Sequence, residues 1–78
     1  YEPVWAIGTG LIPKINELYE TISFIKNKFK DYKVLYGGSV NPKNIKDLKT
    51  IENLDGFLIG GASQNSKKFI DIIKKTYN

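Results

Sequence analysis

Three times in this chain a short apolar run gives way to glycine. The stretches are Tyr1-Glu2-Pro3-Val4-Trp5-Ala6-Ile7-Gly8-Thr9-Gly10, Val34-Leu35-Tyr36-Gly37-Gly38-Ser39 and Gly56-Phe57-Leu58-Ile59-Gly60-Gly61-Ala62-Ser63. Each reads as a strand end followed by a turn, and helical patterns lie between them. Strands alternating with helices form parallel sheets, because a parallel pair needs a long crossover. The three glycine-rich turns then fall at one end of the sheet and line one surface with backbone N–H groups.

The first stretch opens on an acid with Pro3 directly behind it. Proline disfavours helix in the residue before it, so Glu2 reads as the last residue of a strand or the first beyond it. Stiff residues (Pro3, Val4, Trp5) then give way to Gly8 and Gly10, as in a loop that moves as one piece on short hinges. Pro13 suits a helix first turn. Ile15, Leu18, Ile22, Ile25 and Phe29 recur at steps of three or four and predict a helix over about 14–29. Lys33 to Tyr36 is the next strand, with Gly37-Gly38-Ser39 as its turn. Asn41-Pro42 is a helix start, with Ile45 and Leu48 as its apolar face and its end near 49. Residues 50–55 connect to a strand over Gly56 to Ile59. The Gly60-Gly61 turn leads into a short helical turn. Ser66 is the expected cap of a last helix whose buried stripe is Phe69, Ile70, Ile73 and Tyr77.

Composition narrows the classes of function. The chain has 78 residues, no cysteine and no histidine. Disulfides, thiolate metal sites and imidazole proton transfer are therefore unavailable from its own side chains. No apolar run reaches the roughly 20 residues that cross a bilayer, and the start is unlike a signal peptide. A soluble, cytoplasmic setting is the expectation, without membrane contact. The net charge is +4, carried by scattered lysines without interleaved aromatics; this favours solvated helix faces over nucleic-acid binding. Two strands and one strand end are too few to close a barrel, so the expectation is that N-terminal sequence is missing.

The first motif resembles the active-site signature of the triosephosphate isomerase family. Tyr36-Gly37-Gly38-Ser39-Val40 and Gly56 to Ser63 resemble that family's next two strand–turn motifs, in the right order, and the likeness runs the length of the chain. It implies an α/β fold that is the C-terminal segment of a (β/α)8 TIM barrel: the end of strand six, helix six, strand seven, helix seven, strand eight and helix eight. Residues 1–78 would form a partial barrel domain without strands one to five and most of strand six. Active sites of such barrels lie at the C-terminal ends of the strands. The resemblance further implies interconversion of dihydroxyacetone phosphate and glyceraldehyde 3-phosphate in glycolysis and gluconeogenesis, with no cofactor and no metal. Glu2 would be the catalytic base. Backbone N–H groups of Gly8, Ser39, Gly60 and Gly61 would hold the substrate phosphate. Pro3, Val4, Trp5, Ala6, Ile7, Thr9 and Gly10 would belong to a lid, and the Tyr36 and Ser39 hydroxyls to its latch. The implied partners are the triose phosphate, the missing N-terminal part of the barrel, and a second copy in a homodimer of the complete enzyme.

Four departures from the family pattern stand out. The substrate-binding lysine, the polarising histidine and the asparagine beside them are absent with the other strands, so the isolated chain is expected to be inactive. Pro13 occupies the position whose N–H would meet the Tyr36 latch, and proline has no N–H, so weaker lid closure is expected. The link into the strand at 33 is short. The family's late-helix arginine and its aspartate partner correspond to Lys26 and Asn53, so that ion pair is expected to be lost. The alternatives are a non-catalytic fragment that docks on an N-terminal piece, or a degenerate remnant with weak phosphate binding. An upstream reading frame encoding the earlier strands would support the first.

Overall fold

A computed structural model describes all residues from Tyr1 to Asn78. Its regular elements are α1 (Ile15–Lys28), β1 (Leu35–Gly38), α2 (Ile45–Leu48), β2 (Gly56–Ile59) and α3 (Ser66–Thr76), with 3-10 turns at Val4–Ala6 and Gly61–Gln64. β1 and β2 pair in parallel, with Leu35 opposite Gly56 and Gly38 opposite Ile59. Tyr1 extends this ladder on the other edge of β1. Its nitrogen donates to the Leu35 carbonyl at 2.7 Å, and its carbonyl accepts from Gly37 N–H at 2.8 Å. Three chain segments therefore run side by side in one direction, and each is followed by a glycine-bearing loop.

Side chains alternate across this small sheet. Tyr36 points into the layer of helices and is fully buried, whereas Leu35 and Leu58 lie on the opposite face and are exposed. The core is a cluster of nine buried side chains: Leu18 and Ile22 of α1, Val34, Tyr36 and Val40 around β1, Ile45 and Leu48 of α2, then Ile51 and Ile72. α1 follows its predicted stripe as far as Ile25. Glu17 in its first turn and Lys26 and Lys28 in its last complement the helix dipole.

Several expectations are corrected. Pro13 is buried but lies ahead of the helix, which begins after Lys14 in extended geometry. Phe29 is exposed because α1 stops at Lys28 and the backbone turns away from helical angles there. Its ring meets Tyr32 edge-on at 6.3 Å instead. The first full strand lies two residues later than Lys33–Tyr36, because Gly37 and Gly38 pair with Leu58 and Ile59 and so belong to the sheet. The Asn41–Asn44 segment is a turn leading into α2, and Asn41 Oδ1 accepts from the N–H groups of Lys43 and Asn44. The cap of α3 is Asn65, not Ser66; its side chain accepts from Lys68 N–H at 3.0 Å. In α3 the buried residue is Ile72, while Phe69, Ile70, Ile73 and Tyr77 are exposed. α3 leans on α2 by the Ile72 side of the helix, and no other part of this chain covers the predicted stripe.

Lys26 does have a carboxylate partner, contrary to expectation. Its ammonium lies 2.6 Å from Asp55 Oδ2. The partner is Asp55, at the entry to β2, and the same oxygen accepts from Val34 N–H at 2.7 Å. Asn53 instead donates to the Ser23 hydroxyl at 2.6 Å. The Lys26 hydrogen bond, then that from Val34, holds the Asp55 carboxyl below its ordinary value of 3.8. A carboxyl depressed in the folded state stabilises the fold above its unfolded pKa, and loses that contribution as pH falls through the folded value. Urea unfolding of the chain between pH 6 and pH 2 therefore shows a midpoint that drops at the acid end. Asp55→Asn shows a lower midpoint at pH 6 and a smaller drop on acidification.

Candidate active site

The site grows out of the edge where the three parallel segments end. Glu2 follows the rung made by Tyr1, so the ladder fixes where its side chain begins. A methyl group built on Gly37 would stand 2.8 Å from Glu2 Cγ and 3.3 Å from Leu58 Cβ. The 2.8 Å approach is one that a real Cβ does not make and the 3.3 Å one is tight, so the missing side chain of Gly37 is what lets Glu2 lie across β1. Gly38 serves the other face. Tyr36 folds back over it, and a methyl there would stand 2.7 Å from Tyr36 Cζ and still closer to its hydroxyl. The sequence reading took this pair as a turn; the two glycines are strand residues whose bare Cα atoms accommodate one side chain on each face.

The loop after Glu2 is held down at two levels. Within it, Ala6 N–H donates to Pro3 O at 2.9 Å and the Thr9 hydroxyl to Trp5 O at 2.8 Å. Gly8 and Gly10 have φ of 69° and 80°, a region where a side chain is strained. From outside, Ser39 reaches across from the β1 turn. Its hydroxyl donates to Ala6 O at 2.6 Å and accepts from Gly10 N–H at 2.8 Å. One side chain thus ties down both halves of the loop. Ser39 is in turn fixed by Asn44, whose amide donates to Ser39 O at 2.5 Å while its Oδ1 accepts from Asn41 N–H at 2.9 Å. Asn44 is not among the candidates named from the sequence. Its spacing three residues after a capping Asn, like a capping box, was the available signal.

Tyr36 does not share the Ser39 role. Its hydroxyl is buried without a hydrogen-bond partner, and Pro13 has no N–H to offer it. Burial pushes the Tyr36 phenol above its usual pKa, and neighbouring Tyr1 adds to the shift. Pro3 and Ala6 are buried, whereas Val4, Trp5 and Ile7 project outward.

These parts enclose one cavity of about 630 Å³, whose lining includes Glu2, Gly8, Gly10, Ser39, Gly60 and Gly61. The N–H groups of Gly8, Ser39 and Gly60 take no hydrogen-bond partner from the chain. That of Gly61 begins a 3-10 turn, where the first amides have no partner within the turn. Space around Gly60 and Gly61 is open, with no atom within 4 Å of a methyl built on either. Unpaired amides on the wall of an open cavity are groups that an oxyanion can take as ligands. Two cations that the sequence reading did not single out, Lys43 and Lys68, line the same cavity.

Comparison with known proteins gives a consistent result. The family model described as triosephosphate isomerase matches residues 1–76. The chain is similar to the triosephosphate isomerase of Thermodesulfovibrio yellowstonii, at 44% identity over 82 aligned positions covering 95% of this chain and 33% of the relative. It is 47% identical to that of Mycoplasma mobile over 75 positions, covering 95% of this chain and 31% of the relative. For Francisella tularensis subsp. mediasiatica the identity is 42%, with 96% of this chain and 33% of the relative covered. The chain thus spans about a third of the length of the curated relatives it matches.

The two kinds of glycine are separable by substitution. Gly38→Ala forces the Tyr36 ring to move and is expected to cost about 1–3 kcal/mol of stability. Gly61→Ala, pointing into open space, should cost less than about 0.5 kcal/mol. Urea unfolding of the two variants checks the contrast.

Proposed function

The chain belongs to the triosephosphate isomerase family, and on that premise we propose that it supplies the base, lid and phosphate cradle of an enzyme completed by other parts of a TIM barrel. The observation that carries this reading is that the Glu2 carboxylate, laid across β1, shares one cavity with the N–H groups of Gly8, Ser39, Gly60 and Gly61. The substrate is a triose phosphate. Its phosphate binds the four amides, where glycine lets the backbone approach closely. That anchor presents the adjacent carbonyl and hydroxyl-bearing carbons to Glu2.

The reaction is proton transfer. The Glu2 carboxylate removes a proton from the carbon beside the carbonyl of dihydroxyacetone phosphate, leaving an enediolate. The resulting carboxylic acid returns a proton to the neighbouring carbon while the hydroxyl proton of the first carbon passes to the oxygen of the second, which gives glyceraldehyde 3-phosphate. Neither oxidant nor cofactor is consumed. A carboxylate does this best when held close to the carbon and shielded from water. The Pro3–Pro13 loop, closed by Ser39, provides that shield. With Tyr36 lacking a partner at Pro13, closure rests on Ser39.

The enediolate oxygens need a proton donor and a cation, and this chain has no histidine to offer. Those groups come from the N-terminal portion of the barrel. Loss of one member of a catalytic unit lowers rates by orders of magnitude, so the chain alone is inactive. The exposed face of the sheet, with Leu35 and Leu58, and the exposed Phe69, Ile70 and Ile73 of α3 are where the completing portion docks. The complete enzyme is a cytoplasmic homodimer.

The test is reconstitution. The chain is mixed with a separately produced N-terminal two-thirds of the Thermodesulfovibrio yellowstonii relative, and isomerase activity is followed. Activity appears only on mixing and falls by about 10²- to 10⁴-fold with Glu2→Gln. Gly37→Ala, which crowds Glu2 without changing its chemistry, lowers it by about 10²-fold. A folded, bound mixture that is inactive, or one indifferent to Glu2→Gln, would overturn the assignment.

A further inference from the structure

Lys43 and Lys68 line the cavity from two different elements, the turn before α2 and the first turn of α3. Both are exposed. Neither ammonium is engaged: the lysine side chains that make ion pairs or hydrogen bonds are Lys26, Lys49 and Lys75. The only acid on the cavity wall is Glu2. Two lining asparagines, Asn41 and Asn65, spend their side-chain oxygens on capping bonds, including those to Lys43 N–H and Lys68 N–H. The capping bonds therefore position the two lysine backbones, and the lysines carry the free charged donors at this end of the cavity.

The placement of Lys68 also runs against local helix preference. The first turn of α3 contains Lys67 and Lys68 and no acid, whereas α1 has Glu17 and α2 has Asp47 there. Cations at a helix N-terminus oppose the helix dipole. A bound dianion between that turn and Lys43 removes the conflict, and a local rule broken beside a site is a signature of function.

We propose that Lys43 and Lys68 form a cationic collar that recruits the dianionic phosphate of the substrate to the amide cradle. This rests on the reading of Gly8, Ser39, Gly60 and Gly61 as the phosphate donors. The two lysines act by charge from the rim, and the amides make the directed hydrogen bonds. Attraction of this kind is strong at low salt and largely screened beyond a Debye length of about 10 Å at 0.1 M salt.

The test uses inorganic phosphate at pH 8, where it is a dianion, titrated into the ¹⁵N-labelled chain. In the unsubstituted chain, phosphate shifts the amide signals of Gly8, Ser39, Gly60 and Gly61. The double variant Lys43→Gln/Lys68→Gln binds roughly 5- to 10-fold more weakly at about 10 mM ionic strength, and within about twofold of the parent at 0.5 M. Lys43→Arg/Lys68→Arg restores the affinity, and Lys30→Gln, at a lysine outside the cavity lining, leaves it unchanged. Equal affinity of the glutamine variant at low salt overturns the collar and leaves the amide cradle standing. A loss equal at both salt concentrations, or not restored by arginine, also overturns it. Absence of shifts at the four amides in the unsubstituted chain removes the cradle, and the collar with it.

Discussion

A parallel backbone ladder, Tyr1 beside β1 beside β2, is the constraint on which the remaining structure depends. It requires three segments to end at the same edge, which brings their loops together. It also fixes register. With Tyr1 bonded across Leu35 and Gly37, the residue after it can only emerge over the Gly37 position. A shift of one residue would put Glu2 on the opposite face of the sheet, among the helices, where a carboxylate would be buried without a partner. The Lys26–Asp55–Val34 contact supports this register from the opposite end, because one carboxylate at the entry to β2 accepts from both α1 and the approach to β1.

Six of the seven glycines divide into three physical roles. Gly37 and Gly38 make room for Glu2 and Tyr36. Gly8 and Gly10 take positive φ and let the loop fold back onto Ser39. Gly60 and Gly61 leave the backbone bare beside open space. Ser39 joins these roles, since its hydroxyl restrains the loop while its own N–H stays unpaired at the cavity. A single residue thereby couples the position of the loop to an unpaired amide on the cavity wall.

Much of this was legible in the sequence. Glu2 before Pro3 marked a strand end, β2 between glycines was placed correctly, and α1 followed its apolar spacing. Glu2, Gly8, Ser39, Gly60 and Gly61, proposed from the three motifs, line one cavity. What was hidden depended on contacts distant in sequence. Gly37-Gly38 looked like a turn because the pairing that makes it strand lies some twenty residues on. Asn65 outcompeted Ser66 as a cap because α3 begins where Asn65 can turn its oxygen onto Lys68 N–H. The stripe of Phe69, Ile70 and Ile73 showed amphipathic spacing, yet spacing does not specify which surface will cover it. Asp55 escaped notice as the partner of Lys26 because Asn53 and Asp55 both approach α1, and only geometry distinguishes them.

The ladder lays the Glu2 side chain over the bare Cα of Gly37. The most direct measurement is the nuclear Overhauser effect between the Glu2 γ-protons and the Gly37 α-protons in the isotopically labelled chain. A strong cross-peak is expected, accompanied by the cross-strand signals of Leu35 with Gly56 and of Gly37 with Leu58. Intact β1–β2 signals without the Glu2–Gly37 cross-peak would contradict it, because the sheet would then exist without positioning the acid.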